Sequence, residues 1–220
     1  MKHTFSVQFN MSLKFSDKLA DIGDAIMGEK TTRNIFGYNP VISPEKTAFS
    51  LTKNENQLVI FIAPIFINNS QRPVNNIILS LTHKSDNFVI PSDFNVSFLE
   101  CINIFKTTLN IGIEKIGSVY TDLVLKENSI SYLQKYVTPF LNNITFPFNG
   151  GNFRFLYKKA LKSIGVNIGI TFQTEQNDSF SYLIDINSDK NQPENIIDKN
   201  EIQEILDFSN TFTKNYIDFL

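Results

Sequence analysis

The chain opens with a strict alternation of polar and apolar side chains between Thr4 and Phe15. Apolar residues occupy every odd position of this segment, and polar residues occupy every even position. Because successive side chains of a β-strand point to opposite faces of the sheet, the pattern predicts one long strand with an apolar and a polar face. A sheet built on such a strand is expected to be covered on one side only.

Hydrophobic periodicity divides the rest of the chain into further elements. A helix is predicted from an N-cap at Ser16 to Gly28, and a second N-terminal signal at Asp198 and Glu201 begins a helix that reaches the end of the chain. Residues 29–45 have little periodicity and are predicted to form a loop. The remaining helices are expected within 91–112 and 131–141, and the remaining strands within 47–51, 58–67, 77–81, 115–125, 166–172 and 180–186.

The order of these elements predicts the class of the fold. Successive strands are joined by short turns or by helices, which favours an α+β architecture with helices on one face of a curved, mainly antiparallel sheet. A long C-terminal helix completes this expectation. Residues 1–220 are interpreted as a single α+β domain, and 142–152 is the place for a hinge if one exists.

Composition argues against several classes of function. The formal net charge of −2 lacks the strongly basic footprint of many nucleic-acid-binding proteins. The single cysteine, Cys101, cannot form an internal disulfide, which fits a reducing compartment. The most apolar run, 58–67, is much shorter than the about 20 residues that a membrane-spanning helix needs. These features predict a cytoplasmic protein without membrane contact.

No set of residues matches a catalytic or metal-binding motif. The two histidines, His3 and His83, are far apart in the sequence, and a zinc site would need further cysteines or closely spaced histidines. Cys101 lies between core positions of the middle helix and is interpreted as a small buried hydrophobic side chain. We therefore expect a non-enzymatic protein without a metal or a cofactor.

Two predicted strands contain the first candidate for a polar site. Tyr120 and Asp122 share a strand face because they are two positions apart, and Asp185 lies within another strand. Acid–base chemistry would require one of the two carboxyl groups to have a raised pKa. The alternative is that these carboxylates are solvated on an exposed face.

A second candidate site is basic. Residues 153–163 are compatible with a helix or a strand, and a helix would align four cations in one stripe interleaved with aromatic side chains. Such a stripe favours binding of an anion or a nucleic acid, and an ordinary solvated helix face is the alternative. The four cations are Arg154, Lys158, Lys159 and Lys162.

A third candidate is an interface of uncharged polar side chains. Two predicted strand faces are rich in serine, threonine, asparagine and glutamine, and few charges interrupt them. Such a face can dock a protein partner or a second copy of the chain, and plain solvent exposure is the alternative. The first face contains Thr4, Ser6, Gln8, Asn10 and Ser12, and the second contains Asn167, Thr171 and Gln173.

Two segments resemble a known pattern. The first is 98–122, an amphipathic helix followed by a strand that opens on Ile-Gly-Ser-Val-Tyr at 116–120, and the second is 182–187, Tyr-Leu-Ile-Asp-Ile-Asn, followed by the terminal helix. They resemble an uncharacterised, sporadically distributed bacterial protein family with an Ile-Gly-x-Arg-Tyr strand and a Leu-Asp-Ile-Asp strand before a terminal helix. Val119 replaces the arginine of that pattern, and Asn187 replaces its second aspartate. The resemblance implies a partner subunit in a bacterial defence or toxin–antitoxin-like system.

Three hypotheses for function follow from the sequence. The first is a protein-interaction module that binds a partner, or a second copy, through a sheet face or an exposed edge. The alternative is a carrier of a small apolar ligand, with a cavity between the sheet and the C-terminal helix. The second alternative is nucleic-acid binding through the basic stripe at 154–162.

Overall fold

The computed structural model describes residues 1–65, 74–86, 92–125, 152–174, 179–189 and 198–219. Within these ranges the chain forms nine strands and four helices. The strands are β1 (Lys2–Phe9), β2 (Val41–Ile42), β3 (Ala48–Lys53), β4 (Asn56–Ile65), β5 (Val74–Lys84), β6 (Ile113–Leu125), β7 (Asn152–Ala160), β8 (Gly165–Thr174) and β9 (Ser179–Ser188). The helices are α1 (Phe15–Gly28), α2 (Lys30–Phe36), α3 (Ser92–Leu109) and α4 (Lys199–Phe219).

All nine strands belong to one sheet. Their spatial order is β2-β3-β4-β5-β1-β6-β9-β8-β7, and every neighbouring pair is antiparallel. The first strand of the sequence therefore lies in the centre of the sheet, between β5 and β6. The strands β2 and β7 form its two ends. The α+β class, the antiparallel sheet and the C-terminal helix are confirmed.

The helices pack on one face of the sheet, which we call the covered face. The ring of Phe5 in β1 stacks on Phe98 of α3, with 5.6 Å between the ring centroids. The ring of Phe172 in β8 contacts Tyr216 of α4 at 6.4 Å. The helix α1 approaches β3 so closely that a Cβ on Gly23 would lie 2.6 Å from the nearest ring carbon of Phe49.

The alternation of β1 has the predicted consequence for burial. The side chains of Phe5, Val7 and Phe9 are buried on the covered face. Their cross-strand neighbours on β5 are also buried, namely Leu81, Leu79 and Ile77. Because burying one such side chain contributes roughly 1.5–3 kcal/mol, this face contributes much of the hydrophobic stabilisation.

The first strand is shorter than its alternation predicts. It ends at Phe9, and the backbone N–H of Asn10 donates to the carbonyl of Gly112, just before β6 begins. Leu13 is 97% exposed, whereas Phe15 is buried as the first residue of α1. The polar and apolar residues still alternate after Phe9, but no neighbouring strand pairs with this part of the chain. The alternation therefore no longer determines which face a side chain occupies.

Two predictions for the segment after β1 are wrong. The N-cap of α1 is Lys14 rather than Ser16, and its side chain makes no capping hydrogen bond. The segment 29–45 contains α2 and the two-residue strand β2 instead of a continuous loop. The helix α2 buries only Thr32 and Phe36, so its seven residues are too few to give a visible helical period.

The sequence of 153–163 is compatible with a helix or a strand. In the structure, most of this segment belongs to the strand β7. The strands predicted within 166–172 and 180–186 are confirmed as β8 and β9, which pair in antiparallel register. The predicted helix at 131–141 and most of the predicted hinge lie outside the described residues.

The N-terminal signal of the last helix is confirmed in detail. The carboxylate of Asp198 accepts hydrogen bonds from the N–H groups of Asn200, at 2.7 Å, and Glu201, at 2.9 Å. The Glu201 carboxylate accepts the Asp198 N–H at 2.8 Å, which completes a capping box. Among the described residues, none of the helices combines the length and the apolar character needed to cross a membrane.

Candidate functional site on the open sheet face

The face of the sheet opposite the helices, which we call the open face, brings the two predicted polar strand faces together. Ser6 of β1 pairs with Gly117 of β6, and Gly117 pairs in turn with Asn187 of β9. On its other side, Asn187 pairs with Asn167 of β8. One line of polar or small residues thus crosses six neighbouring strands, and we call it the polar row. Its members are Ser80, Ser6, Gly117, Asn187, Asn167 and Lys158.

The other predicted interface residues divide into two groups. Four of them lie on the open face beside the polar row, namely Thr4, Gln8, Thr171 and Gln173. Thr4 and Thr82 share a hydrogen bond of 3.0 Å between their hydroxyl groups, and the Gln8 amide donates to Glu114 at 2.6 Å. Asn10 and Ser12 follow the end of β1 and are not part of the sheet.

Two glycines make the open face flat. A Cβ on Gly117 would lie far inside contact distance of the Asn187 amide oxygen, so the Asn187 side chain lies over this glycine. A Cβ on Gly169 would lie 3.3 Å from the guanidinium of Arg154, which extends across β8 at this point. The absence of a side chain at each glycine lets a long polar neighbour lie along the sheet instead of projecting from it.

Two cations of β7 form ion pairs with carboxylates in β9 or just after it. Arg154 lies 4.0 Å from Asp185, and Lys158 lies 3.3 Å from Asp189. The Asn187 amide donates to the Asp185 carboxylate. A shallow groove of about 320 Å³ lies here, and its lining includes Arg154, Asp185, Asn187 and Asp189. Since both cations are more than half exposed, each ion pair contributes no more than about 1 kcal/mol.

The predicted basic stripe does not form, because residues on a strand alternate between faces. Arg154 and Lys158 lie on the open face, whereas the ammonium of Lys159 lies 4.9 Å from the centre of the Phe208 ring of α4. Lys162 follows the end of β7, and its backbone N–H donates to Glu204 at 2.6 Å. The four cations therefore do not share one face.

The predicted polar site is divided between the two faces. Tyr120 lies on the covered face, where its ring contacts Tyr182 at 5.8 Å, and Asp122 shares this face. Asp185 lies opposite Val119 and faces the other way. Burial raises the pKa of Tyr120 well above its usual range and raises the pKa of Tyr182 to about 12. The two aspartates are thus not brought together as an acid–base pair.

The two histidines are cross-strand neighbours, a proximity that sequence reasoning missed. His3 of β1 pairs in register with His83 of β5. The His3 ring lies 2.6 Å from the Ser118 hydroxyl, and the His83 ring lies 2.6 Å from the side-chain carbonyl of Asn56. Burial, followed by the charge of His83, lowers the pKa of His3 to about 3, so His3 is neutral at physiological pH.

The cysteine has the predicted environment. Cys101 is fully buried in α3, and burial raises the pKa of its thiol to about 12. A thiol held protonated in this way is a poor nucleophile. Within the described ranges, no three histidine, cysteine, aspartate or glutamate side chains are grouped closely enough to hold a metal ion.

A second groove, of about 470 Å³, lies between α3 and α4. Val96, Leu99, Ile102 and Ile202 supply its apolar lining, and Lys199 is among its charged residues. It opens between two helices.

Comparison with protein-family models and with curated proteins finds no match to the chain. The fold and the open face define its class as an α+β protein with helices on one side of an antiparallel sheet and a flat polar surface on the other.

Proposed function

We propose that the protein is a non-enzymatic interaction module that binds a protein partner through the open face. The observation that carries this proposal is the polar row, which runs in register across six strands and is flattened at Gly117 and Gly169. A flat surface of neutral hydrogen-bonding groups is typical of a polar, non-obligate interface rather than of a catalytic cleft.

The side chains of the open face are suited to binding because many of them are already ordered. The Thr4–Thr82 and Asn187–Asp185 hydrogen bonds hold their rotamers in the free protein. Ordering a mobile polar side chain on binding costs about 0.5–1.5 kcal/mol, and a side chain that is fixed beforehand avoids much of that cost. The same groups retain lone pairs and N–H donors for a partner or for bridging water.

The resemblance at 116–120 and 182–187 suggests where to search for the partner. A cytoplasmic protein of a bacterial defence or toxin–antitoxin-like system is the first class to test. The departures at Val119 and Asn187 lie on the open face itself, next to and within the polar row. A partner that recognises the charged residues of the family pattern would therefore bind this chain differently.

The test compares matched variants of the full chain. Ser6→Arg and Asn167→Arg each place a long cation on the open face, and Asn34→Arg places the same group on the exposed side of α2 as the control. Affinity purification from the native host, with quantitative mass spectrometry and light scattering, should recover one complex with the wild type and with the control. The face variants should lose it. A wild type that captures no partner, or a complex that all variants retain, would contradict the proposal.

A second candidate function is the carriage of a small apolar ligand in the groove between α3 and α4. Its volume of about 470 Å³ lies within the range of small-molecule sites, about 300–1,000 Å³. Native mass spectrometry of the purified protein would detect a retained ligand. Val96→Arg, at an exposed lining position, should abolish that signal, and absence of any bound mass in the wild type would remove this candidate.

A further inference from the structure

The strand β7 is the last strand of the sheet at the end opposite to β2. Among the described residues it pairs only with β8, through nine consecutive residue pairs without a bulge. It contains no proline, and seven of its nine residues are exposed. A long, regular strand at the end of a sheet presents a row of backbone N–H and C=O groups that another strand can pair with.

The side chains of β7 combine apolar contact area with positive charge. Leu156 is 70% exposed and Tyr157 is 52% exposed, and these adjacent residues lie on opposite faces. Three cations flank them, and residues 152–163 contain no aspartate or glutamate. The cations of the strand are Arg154, Lys158 and Lys159.

These cations lean inward and do not block the edge. Arg154 extends across β8 toward Asp185 of β9, Lys158 extends toward Asp189 just after β9, and Lys159 lies over the Phe208 ring of α4. Their carboxylate partners are two strand positions from the edge, whereas an added strand would lie only about 4.8 Å from β7. The charged residues of β7 itself, which would be in register with an incoming strand, are therefore all cations.

We propose that β7 accepts an extended acidic segment of another protein as an added antiparallel strand. The proposal goes beyond docking on the open face and does not require it. Acidic side chains opposite Arg154, Lys158 and Lys159 would gain favourable cross-strand pairs, and apolar side chains opposite Leu156 and Tyr157 would cover their exposed area. Main-chain hydrogen bonds supply affinity in this mode, and the alternate side chains supply specificity.

Charge disfavours a second copy of this chain paired in the register centred on Leu156. Antiparallel self-pairing about Leu156 would place Arg154 directly opposite Lys158 of the other copy, twice in each interface. Like charges directly opposite each other are destabilising in a sheet. An acidic segment would instead place carboxylates opposite Arg154 and Lys158, and these pairs are attractive.

The probe is the blocked peptide Glu-Glu-Val-Val-Thr-Glu-Val, whose order places glutamates opposite the three cations in antiparallel register. The control peptide replaces every glutamate with lysine. Fluorescence anisotropy with the full-length protein should show at least tenfold tighter binding of the acidic peptide. Equal binding of the two peptides, or no binding of either, would overturn the proposal.

A proline pair tests whether the edge backbone is used. The N–H groups of Leu156 and Tyr157 point to opposite sides of β7, so Leu156→Pro and Tyr157→Pro each remove a different donor. The variant that loses the outward N–H should keep the wild-type melting temperature and lose at least tenfold in peptide affinity. The other variant should melt at a lower temperature because it loses a hydrogen bond to β8. Undiminished peptide binding by both variants would contradict strand addition.

Light scattering at increasing protein concentration separates the two possible occupants. A mass that stays monomeric at the concentrations used for peptide binding supports the acidic partner. A dimer that either proline variant abolishes would show that a second copy occupies β7, and would overturn the proposal. Because Ser6 lies four strands away from β7 in the sheet, the open-face variant Ser6→Arg should bind the acidic peptide normally even if it loses its own partner.

Discussion

The two faces of β1 use polar groups in opposite ways. On the covered face, His3 is fixed by Ser118 in a site that shifts its pKa far from the ordinary value. On the open face, the hydroxyls of Thr4 and Thr82 share a partly buried hydrogen bond, and the Gln8 amide donates to Glu114 in an exposed one. Substitutions on the covered face should therefore affect folding, and substitutions on the open face should affect recognition.

The largest expected effect is on the covered face. Phe5→Ala removes a fully buried ring between α3 and the sheet, and it should lower the free energy of unfolding by about 3–5 kcal/mol. The adjacent control, Ser6→Ala on the open face, should change it by no more than about 0.5 kcal/mol. Urea denaturation followed by circular dichroism measures both. Similar losses for the two variants would contradict the assignment of the faces.

The next effect tests the flattening of the open face. Gly117→Ala should cost about 1–3 kcal/mol, because its Cβ would collide with the Asn187 side chain and lie 3.0 Å from the Ile186 carbonyl oxygen. Adding Asn187→Ala should recover part of the loss, and the backbone contact should retain the rest. Gly28→Ala is the control, since nothing lies within 4 Å of that position. A harmless Gly117→Ala would show that Asn187 does not lie over the glycine.

Lowering the pH should destabilise the folded protein, because His3 on the covered face resists protonation. Its pKa is about 3 in the folded protein and near 6.5 in the unfolded chain, so the unfolded state binds more protons below pH 6.5. The free energy of unfolding should then fall as the pH falls from 6.5 toward 3, by up to roughly 2 kcal/mol at pH 5. His3→Gln should flatten this part of the profile in urea titrations at several pH values. A wild-type profile that the substitution leaves unchanged would exclude His3 as the source.

The smallest effect concerns the ion pairs at the end of the sheet. Lys158→Gln removes the contact with Asp189 and should cost less than about 1 kcal/mol, because both charges are close to solvent. The difference from the wild type should shrink further in 1 M salt. Thermal melts at low and high salt measure it. A loss of several kcal/mol would mean that this pair is part of the core.

The sequence predicts which face of the sheet a side chain occupies better than it predicts where each strand ends. The period of two in β1, β8 and β9 reports which side chains share a face, and this part was confirmed. The end of β1 at Phe9 depends on where β6 begins, and that limit is not encoded in the local alternation. The same dependence on a distant partner explains why Leu13 continues the pattern without being buried.

Contacts between strands distant in sequence could not be predicted because they depend on register. His3 and His83 become neighbours only when β1 inserts between β5 and β6, after two helices and three strands have intervened. The polar row depends on the same register at Ser6, Gly117 and Asn187. The basic segment at 153–163 is compatible with the period of a helix and with that of a strand. In the structure it forms the strand β7, and its cations are therefore divided between the two faces.

The division into a covered and an open face can be measured directly by thiol labelling. Cys101 is buried with a raised pKa, so the native chain provides an almost unreactive background. Single cysteines at Ser6→Cys and Val7→Cys place a thiol on the open and the covered face at adjacent positions. Under native conditions, a maleimide should label Ser6→Cys at least tenfold faster than Val7→Cys. Equal rates, or faster labelling of Val7→Cys, would contradict the account.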